Sequence, residues 1–326
     1  MWAYVTRRIL YNVPVFLGIV LFVMLALRVR DPVNSHLGKV KSEQEIKQLR
    51  KEMGLDRPFH IQYFSFLGDV CTLNFDDECW DHPGRSVGEV MGESIGPSLA
   101  LTLPALVLTT LISVSISLVS AWFRGRWMDK ALVITAVLGM SVSFLVYIVV
   151  GQYMGTTWLK EHTGFAPFAV SFGGYDGEPT AMEMLLEVWP HYYLLPVLIS
   201  VIVAMGYDTR FYRAVMVEES ARDYITTARA KGASRVKVLF VHMLKNAMIP
   251  IITRVVITIP FLITGSFLLE SYFGIPGMGR ELLTAVNHGD FPVVQAFTAV
   301  FALVYILSNL LTDVLYAVFD PRVRLS

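Results

Sequence analysis

Charge is scarce in this chain: Asp, Glu, Lys and Arg make up 17% of its 326 residues, against roughly a quarter in soluble domains. Together with 54% hydrophobic residues and a mean hydropathy of +0.54, that scarcity excludes an ordinary soluble domain and points to a membrane protein. The formal net charge is zero, so no basic excess argues for nucleic acid. No G-x-x-x-x-G-K-[ST] run occurs, which excludes a P-loop cradle for ATP phosphates. No H-E-x-x-H occurs either, and a resident metal or other cofactor is not expected on the chain.

One enzyme-like pattern is present. Gly92 to Gly96 reads GESIG, but a G-x-S-x-G elbow needs a strand before it and a helix after it in an α/β sheet. Here it abuts an apolar run, and a small-residue helix entrance accounts for it. No catalytic residue is assigned. A membrane-embedded hydrolase using Ser94 is the rival from the enzyme class, and an ion-gradient-driven transporter is the rival within transport. The ionisable residues near the apolar windows, Asp208, Arg254, Glu270 and Asp313, fall close to expected span ends, which disfavours a proton path.

A hydrocarbon core of about 30 Å takes roughly 20 helical residues. Six windows meet that need: Ile9 to Leu27, Pro97 to Phe123, Ala131 to Leu159, Val188 to Tyr207, Ala247 to Leu269 and Phe291 to Thr312. The expected fold is an all-α, polytopic six-helix transmembrane bundle, with both termini on one side. The first window exceeds a signal-peptide core, and LRVRDPV offers no small-x-small cleavage site, so it reads as a retained helix.

Orientation follows the Lys/Arg bias of short loops. Arg7, Arg8, Arg124, Arg126, Lys130, Arg322 and Arg324 share one side with the basic stretch 206–249, while 160–190 is acidic. Both termini are therefore expected in the cytoplasm. The resulting division is an N-terminal transmembrane helix (1–29), an external subdomain (30–94), a transmembrane domain (95–317) enclosing a cytoplasmic loop (208–249), and a cytoplasmic tail (318–326).

The external loop carries its own signals. Ser42 and Glu45 have capping-box spacing, and Ile46, Leu49 and Met53 give an apolar face that stops at Gly54, together predicting a short amphipathic helix. Phe59, Tyr63, Phe64 and Phe66 follow, fitting a small packed subdomain or a surface on the bilayer. Both cysteines, Cys71 and Cys79, lie here. In an oxidising exterior a disulfide is expected, with two free thiols as the alternative; a metal site would need partner ligands that only His82 and nearby Asp residues offer.

The cytoplasmic loop contains DYITTARAKGASRVKVLFVHMLKNAMIP, Asp223 to Pro250. Ser220 and Asp223 have capping-box-like spacing, Arg229 and Lys231 sit where a helix dipole favours cations, and Gly232 follows as a C′ residue. Ser234 can cap a second helix with Val236, Phe240, Met243 and Ala247 on one apolar face. A bent helix pair is predicted, its tip made of Thr226, Thr227, Ala228, Ala230, Gly232 and Ala233. Two readings are open: a lipid-facing interfacial helix or a docking knob for a cytoplasmic protein.

DYITTARAKGAS followed by HMLKNAMIP resembles the coupling loop of inner-membrane permease subunits of bacterial ABC importers, specifically the dipeptide, oligopeptide and nickel group. The resemblance covers nearly the whole chain: RRILYNVPVFLGIVLF, MGLDRPFHIQYFSFLGDV, HYYLLPVL, GSFLLESYFGIPGMGRELL, GDFPVVQAF and NLLTDVLYAVFDPRV stand in the family's order. Thr226 replaces the Glu that opens the motif in the wider family, as is usual in the peptide group. The segment from Cys71 to Arg85 looks inserted, and it puts the external subdomain's binding role in doubt.

The resemblance implies a second homologous permease, two cytoplasmic ATPase subunits that bind ATP and Mg, and an external solute-binding protein. It implies ATPase docking through Asp223, Tyr224, Thr226, Thr227, Ala228, Arg229, Ala230, Lys231, Gly232, Ala233 and Ser234. Glu270, Pro276, Gly277 and Gly279 mark either a Gly/Pro-rich external turn or a gate at the pathway mouth. Cargo is not legible in the residues.

Overall fold

The computed structural model describes residues 2–29, 47, 50–51, 53–173, 181–264 and 266–319. Its long helices are α1 (Trp2–Leu27), α2 (Phe59–Thr72), α3 (Val87–Trp122), α4 (Trp127–Ser141), α5 (Phe144–Gln152), α6 (Leu194–Ser220), α7 (Asp223–Ala230), α8 (Leu244–Thr264), α9 (Phe267–Phe273), α10 (Met278–His288) and α11 (Phe291–Phe319). No strand forms among the described residues beyond an isolated antiparallel bridge between Glu78 and Ser86.

Five helical stretches are long and apolar enough to cross a membrane, and a sixth results if α4 and α5 are counted as one broken span. The window at 131–159 is not one helix: it bends by 90° at Val142 and Ser143, which are extended (ψ 136° and 140°). A β-branched residue between two serines supports extended backbone better than the rest of that window does. Beyond α5 the chain continues through a π-helical turn, Tyr153–Trp158.

α6 is the hub, packing against α3, α4, α5 and α8. Gly151 and Gly155 form a G-x-x-x-G pair on the α5 side, and a Cβ on either would lie 2.8 Å from Ile199 or Leu195 of α6. Such small residues let two backbones approach closely where no hydrophobic drive separates helix from lipid. The bundle core here gathers Leu101, Ile148, Tyr193, Val197, Leu269 and Phe273.

α3 is 36 residues long, about 54 Å at helical rise, so it projects well past a bilayer core. It begins with a complete capping box in which Ser86 Oγ accepts from Glu89 N and the Glu89 carboxylate accepts from Ser86 N. That box is legible in SVGE. The Ser220–Asp223 box is not formed: Ser220 ends α6 with its hydroxyl donating to Val217 O, and Arg222 is the N-cap of α7 without a side-chain bond. Ser42, Glu45, Ile46 and Leu49 lie outside the described residues, but Gly54 has the positive φ of +65° expected of a C′ glycine.

At one end of the bundle, α2 packs through Phe66 and Val70 onto Val20 and Met24 of α1 and Ala299 of α11. The 75–86 segment then straps across the start of α3, with Gly88 N donating to Phe75 O (2.8 Å) and Val87 N to Asp77 O (2.9 Å). Asp290 anchors the strap by accepting from Asp81 N (2.9 Å). Asp81 also pairs with His288 (2.6 Å), and Trp80 stacks on Phe291 at 5.4 Å.

The strap explains why the expected disulfide is absent. Both thiols are free: Cys71 is exposed on the last turn of α2, while Cys79 is buried among Val87, Met91, Val294 and Phe297. The Cys79 side chain is committed to an apolar core, and its thiol is pushed up to about 12 by that burial, with Asp290 adding to the shift.

Candidate functional site

The opposite end of the bundle is organised around α7. An eight-residue helix is marginal by itself, and α7 is held by packing. Ile225, 1% exposed, and Ala228 insert into a cluster with Tyr212 and Met216 of α6 and Val238, Leu239 and Met243. The helix closes with a Schellman motif: Gly232 N donates to Arg229 O (2.9 Å) and Ala233 N to Ala228 O (3.1 Å), with Gly232 at φ +78°. A left-handed residue with a Cβ costs about 1–2 kcal/mol, so glycine sets the bend. Ser234 caps the next turn, Arg235–Lys237, accepting from Lys237 N.

That next turn runs through a π-helical segment, Val238–Met243, into α8. Across the π turn the apolar face agrees with the expected one at Met243 and Ala247 and departs from it at its start. Val236 and Phe240 are exposed, and the buried stripe is Leu239, Met243, Ala247 and Ile251. The loop expected over 208–249 is thus mainly extensions of α6 and α8, joined by α7.

Of the expected docking residues, Asp223, Thr226, Thr227, Arg229, Ala230, Lys231, Gly232 and Ser234 are exposed. Ala228 faces inward, because it shares the buried side of α7 with Ile225 three residues earlier. Ala233 and Tyr224 are half-buried. The Tyr224 hydroxyl donates to the Glu219 carboxylate, and burial, reinforced by Glu219, pushes that hydroxyl's pKa up.

Two anchors of this platform lie outside the sequence reading. Arg213 of α6 grips Asp129 of α4 bidentately, Nε to Oδ1 at 2.8 Å and Nη2 to Oδ2 at 2.9 Å, while Nε also reaches Ser120 of α3. Gly125 N donates to Asp129 Oδ2, so one carboxylate ties together α3, α4, α6 and the connecting turn. Arg235 lies over Trp122 with its Cζ 5.1 Å from the ring centroid. The RGRWMDK run carried a usable signal for the first anchor, an acid in the first turn of a helix.

At the α2 end, Glu270, Gly277 and Gly279 come together in a tight knot, with Pro276 between them in the chain. Glu270 has no exposed surface. Its Oε1 accepts from Ser98 Oγ (2.9 Å) and Ser266 N (3.1 Å), and Oε2 from Arg280 N (3.0 Å). Ser98 Oγ in turn accepts from Met278 N (2.8 Å). A Cβ on Gly277 would sit 2.5 Å from Glu270 Cδ and 2.6 Å from Ser98 Oγ, so the carboxylate approaches backbone as closely as glycine permits. Ser94, by contrast, lies buried within α3 with its hydroxyl donating to Val90 O, which is no nucleophile elbow.

Between the two ends, α3, α6 and α8 line an open-sided cavity of about 300 Å³ with Phe144 of α5 on its wall. Asp208 and Arg254 lie near the middle of helices α6 and α8. They pair at 3.2 Å.

The chain belongs to the family of binding-protein-dependent transport system inner membrane components, which matches residues 113–325, with its N-terminal region matching residues 1–86. Relatives extend over essentially whole chains. A probable peptide ABC transporter permease of Sinorhizobium fredii is 31% identical over 99% of this chain and 100% of its own. A glutathione transport system permease of Salmonella typhi is 32% identical over 98% of each, and a dipeptide transport system permease of Alkalihalophilus pseudofirmus is 30% identical over 99% and 100%. This protein is accordingly a permease subunit of an ABC importer, a transport component and not itself an enzyme.

Proposed function

We propose that the chain works as one half of the membrane pathway of an ATP-driven importer for peptides or similar small solutes. It pairs with a second homologous permease, and α7 docks into one of two cytoplasmic ATPase subunits. ATP and Mg are held by those partners, and an external solute-binding protein delivers cargo at the α2 and α10 end. Both termini and α7 face the cytoplasm, in keeping with the clustering of Lys and Arg there.

The observation that carries the reading is α7 itself. Its apolar side is anchored through Ile225 while Thr226, Thr227, Ala230 and Gly232 stay exposed. Small exposed residues on a braced helix admit a close protein partner. Arg229 and Lys231 add positive charge for an acidic rim. ATP-driven closure of the ATPases would draw the two α7 helices together and open the pathway outward; hydrolysis would reset it.

The test is a cysteine crosslink from exposed Thr227→Cys to a co-expressed ATPase partner, with Cys71 and Cys79 replaced, scored with and without ATP. A specific, nucleotide-sensitive crosslink is expected. Correctly inserted protein that gives none would assign α7 to the lipid surface. Uptake that persists without an ATPase and follows a proton or sodium gradient would favour the secondary transporter.

A further inference from the structure

We infer that the cavity between α3, α6 and α8 is a waystation for solutes bearing a primary ammonium, and that Asp208 is the residue that reads it. This rests on the importer reading above and adds a chemical class to the cargo. Asp208 is the charged residue among those lining the cavity, accompanied by the hydroxyl-bearing Thr102, Thr109, Ser200, Thr258 and Ser266.

The ion pair leaves the right atom available. Arg254 Nε donates to Asp208 Oδ1, and the guanidinium turns toward Phe211, with Cζ 5.9 Å from the ring centroid. Arg254 does not line the cavity. It balances the charge of the largely buried Asp208, where a lone carboxylate would be costly, while Oδ2 has no hydrogen-bond partner among the described residues. An ammonium group has three donors, and Oδ2 with neighbouring hydroxyl oxygens supplies acceptors for them.

Size and apolar content favour an organic occupant over a bare ion. A cavity of about 300 Å³ lies at the lower end of the range for small-molecule sites, and Leu106, Phe144 and Leu262 on its wall suit an organic body. Arg254 is 42% exposed at its side chain in the isolated chain. Lipid is a poor neighbour for that guanidinium, so this face of α6 and α8 turns toward the second permease and the water-filled path between them.

The experiment uses the assembled transporter in membranes, with Cys71→Ser and Cys79→Ala as background. Ala204→Cys, which lines the cavity one turn before Asp208, is labelled with 2-aminoethyl and with 2-sulfonatoethyl methanethiosulfonate, and each rate is divided by that of a free thiol. The ammonium reagent should be favoured about 3-fold through the free Oδ2, since Arg254 cancels most of the longer-range field of Asp208. The neutral double variant Asp208→Asn with Arg254→Gln, which leaves no charge unpaired, should abolish that preference. No preference in the Asp208 protein, a preference unchanged in the double variant, or no labelling by either reagent each overturns the inference.

Uptake separates the two readings. Dialanine should enter at least several-fold faster than N-acetyl-dialanine, and the double variant should narrow the ratio. A transporter that moves neither dipeptide sinks the peptide reading and leaves the labelling ratio to decide the site.

Discussion

Glu270 and Gly277 form a close contact that sequence alone would not reveal. Gly277→Ala forces a methyl to within 2.5 Å of Glu270 Cδ in a knot where that carboxylate already serves Ser98, Ser266 and Arg280. Overpacking of this kind costs about 1–3 kcal/mol. We expect a lower melting temperature in detergent and reduced uptake; an unchanged melt would show that the knot yields freely. Sequence inspection could place Glu270, Pro276, Gly277 and Gly279 in one turn, because Gly and Pro punctuate a chain locally. It could not bring Ser98 to them, since that contact spans two helices far apart in sequence.

Helix α7 depends on its buried side more than on its own propensity. Ile225→Ala leaves the exposed residues in place yet removes the main anchor of α7 under Tyr212, Met216 and Met243. The expected cost is about 2–5 kcal/mol, concentrated in one short helix. Solute-stimulated ATPase activity of the assembled transporter should fall while membrane insertion persists. Full activity would show that α7 is held by something other than this cluster.

Helix ends were legible where chemistry is local. Gly232 at C′, Ser234 as a cap and Gly54 as a stop all follow from φ preference and a hydroxyl's reach. Register was less so. Met243 and Ala247 are buried as the α-spaced stripe expects, but Val236 and Phe240 are exposed and Leu239 takes their place ahead of the π turn's end at Met243. No side-chain pattern announces one extra residue in a turn. The break at Val142 was likewise hidden, because hydropathy sums a window without asking whether its axis is straight.

The molecule as a whole joins its outer strap to the bundle through Asp290. Burial raises the Asp290 carboxyl, against the pull of Asp81 and Val293 N–H donors. A carboxyl raised on folding binds its proton more tightly in the native state. Its stabilising contribution is therefore present in full below the unfolded value of about 3.9 and is lost as pH rises through the folded one. Asp290→Asn keeps an acceptor oxygen but has no proton to bind, so the melting temperature of the variant should change less with pH on the acid side. Equal pH slopes for the two proteins would remove Asp290 as a titrating anchor. The apolar windows predicted the membrane class and five of the six spans, the sixth holding only if α4 and α5 count as one broken span, but the strap joins segments about two hundred residues apart, as Asp81 and Asp290 show, and no local pattern encodes such a pairing.

Helix α6 runs 27 residues without a proline in its interior beyond the first turn or any π turn, about 40 Å from end to end. Such a rod behaves as a lever. A tilt of roughly 10° about one end would carry the other by about 7 Å, more than one helical pitch. A tilt imposed at Ser220 is therefore passed along α6 to Asp208, and further to Leu195, with no joint in between.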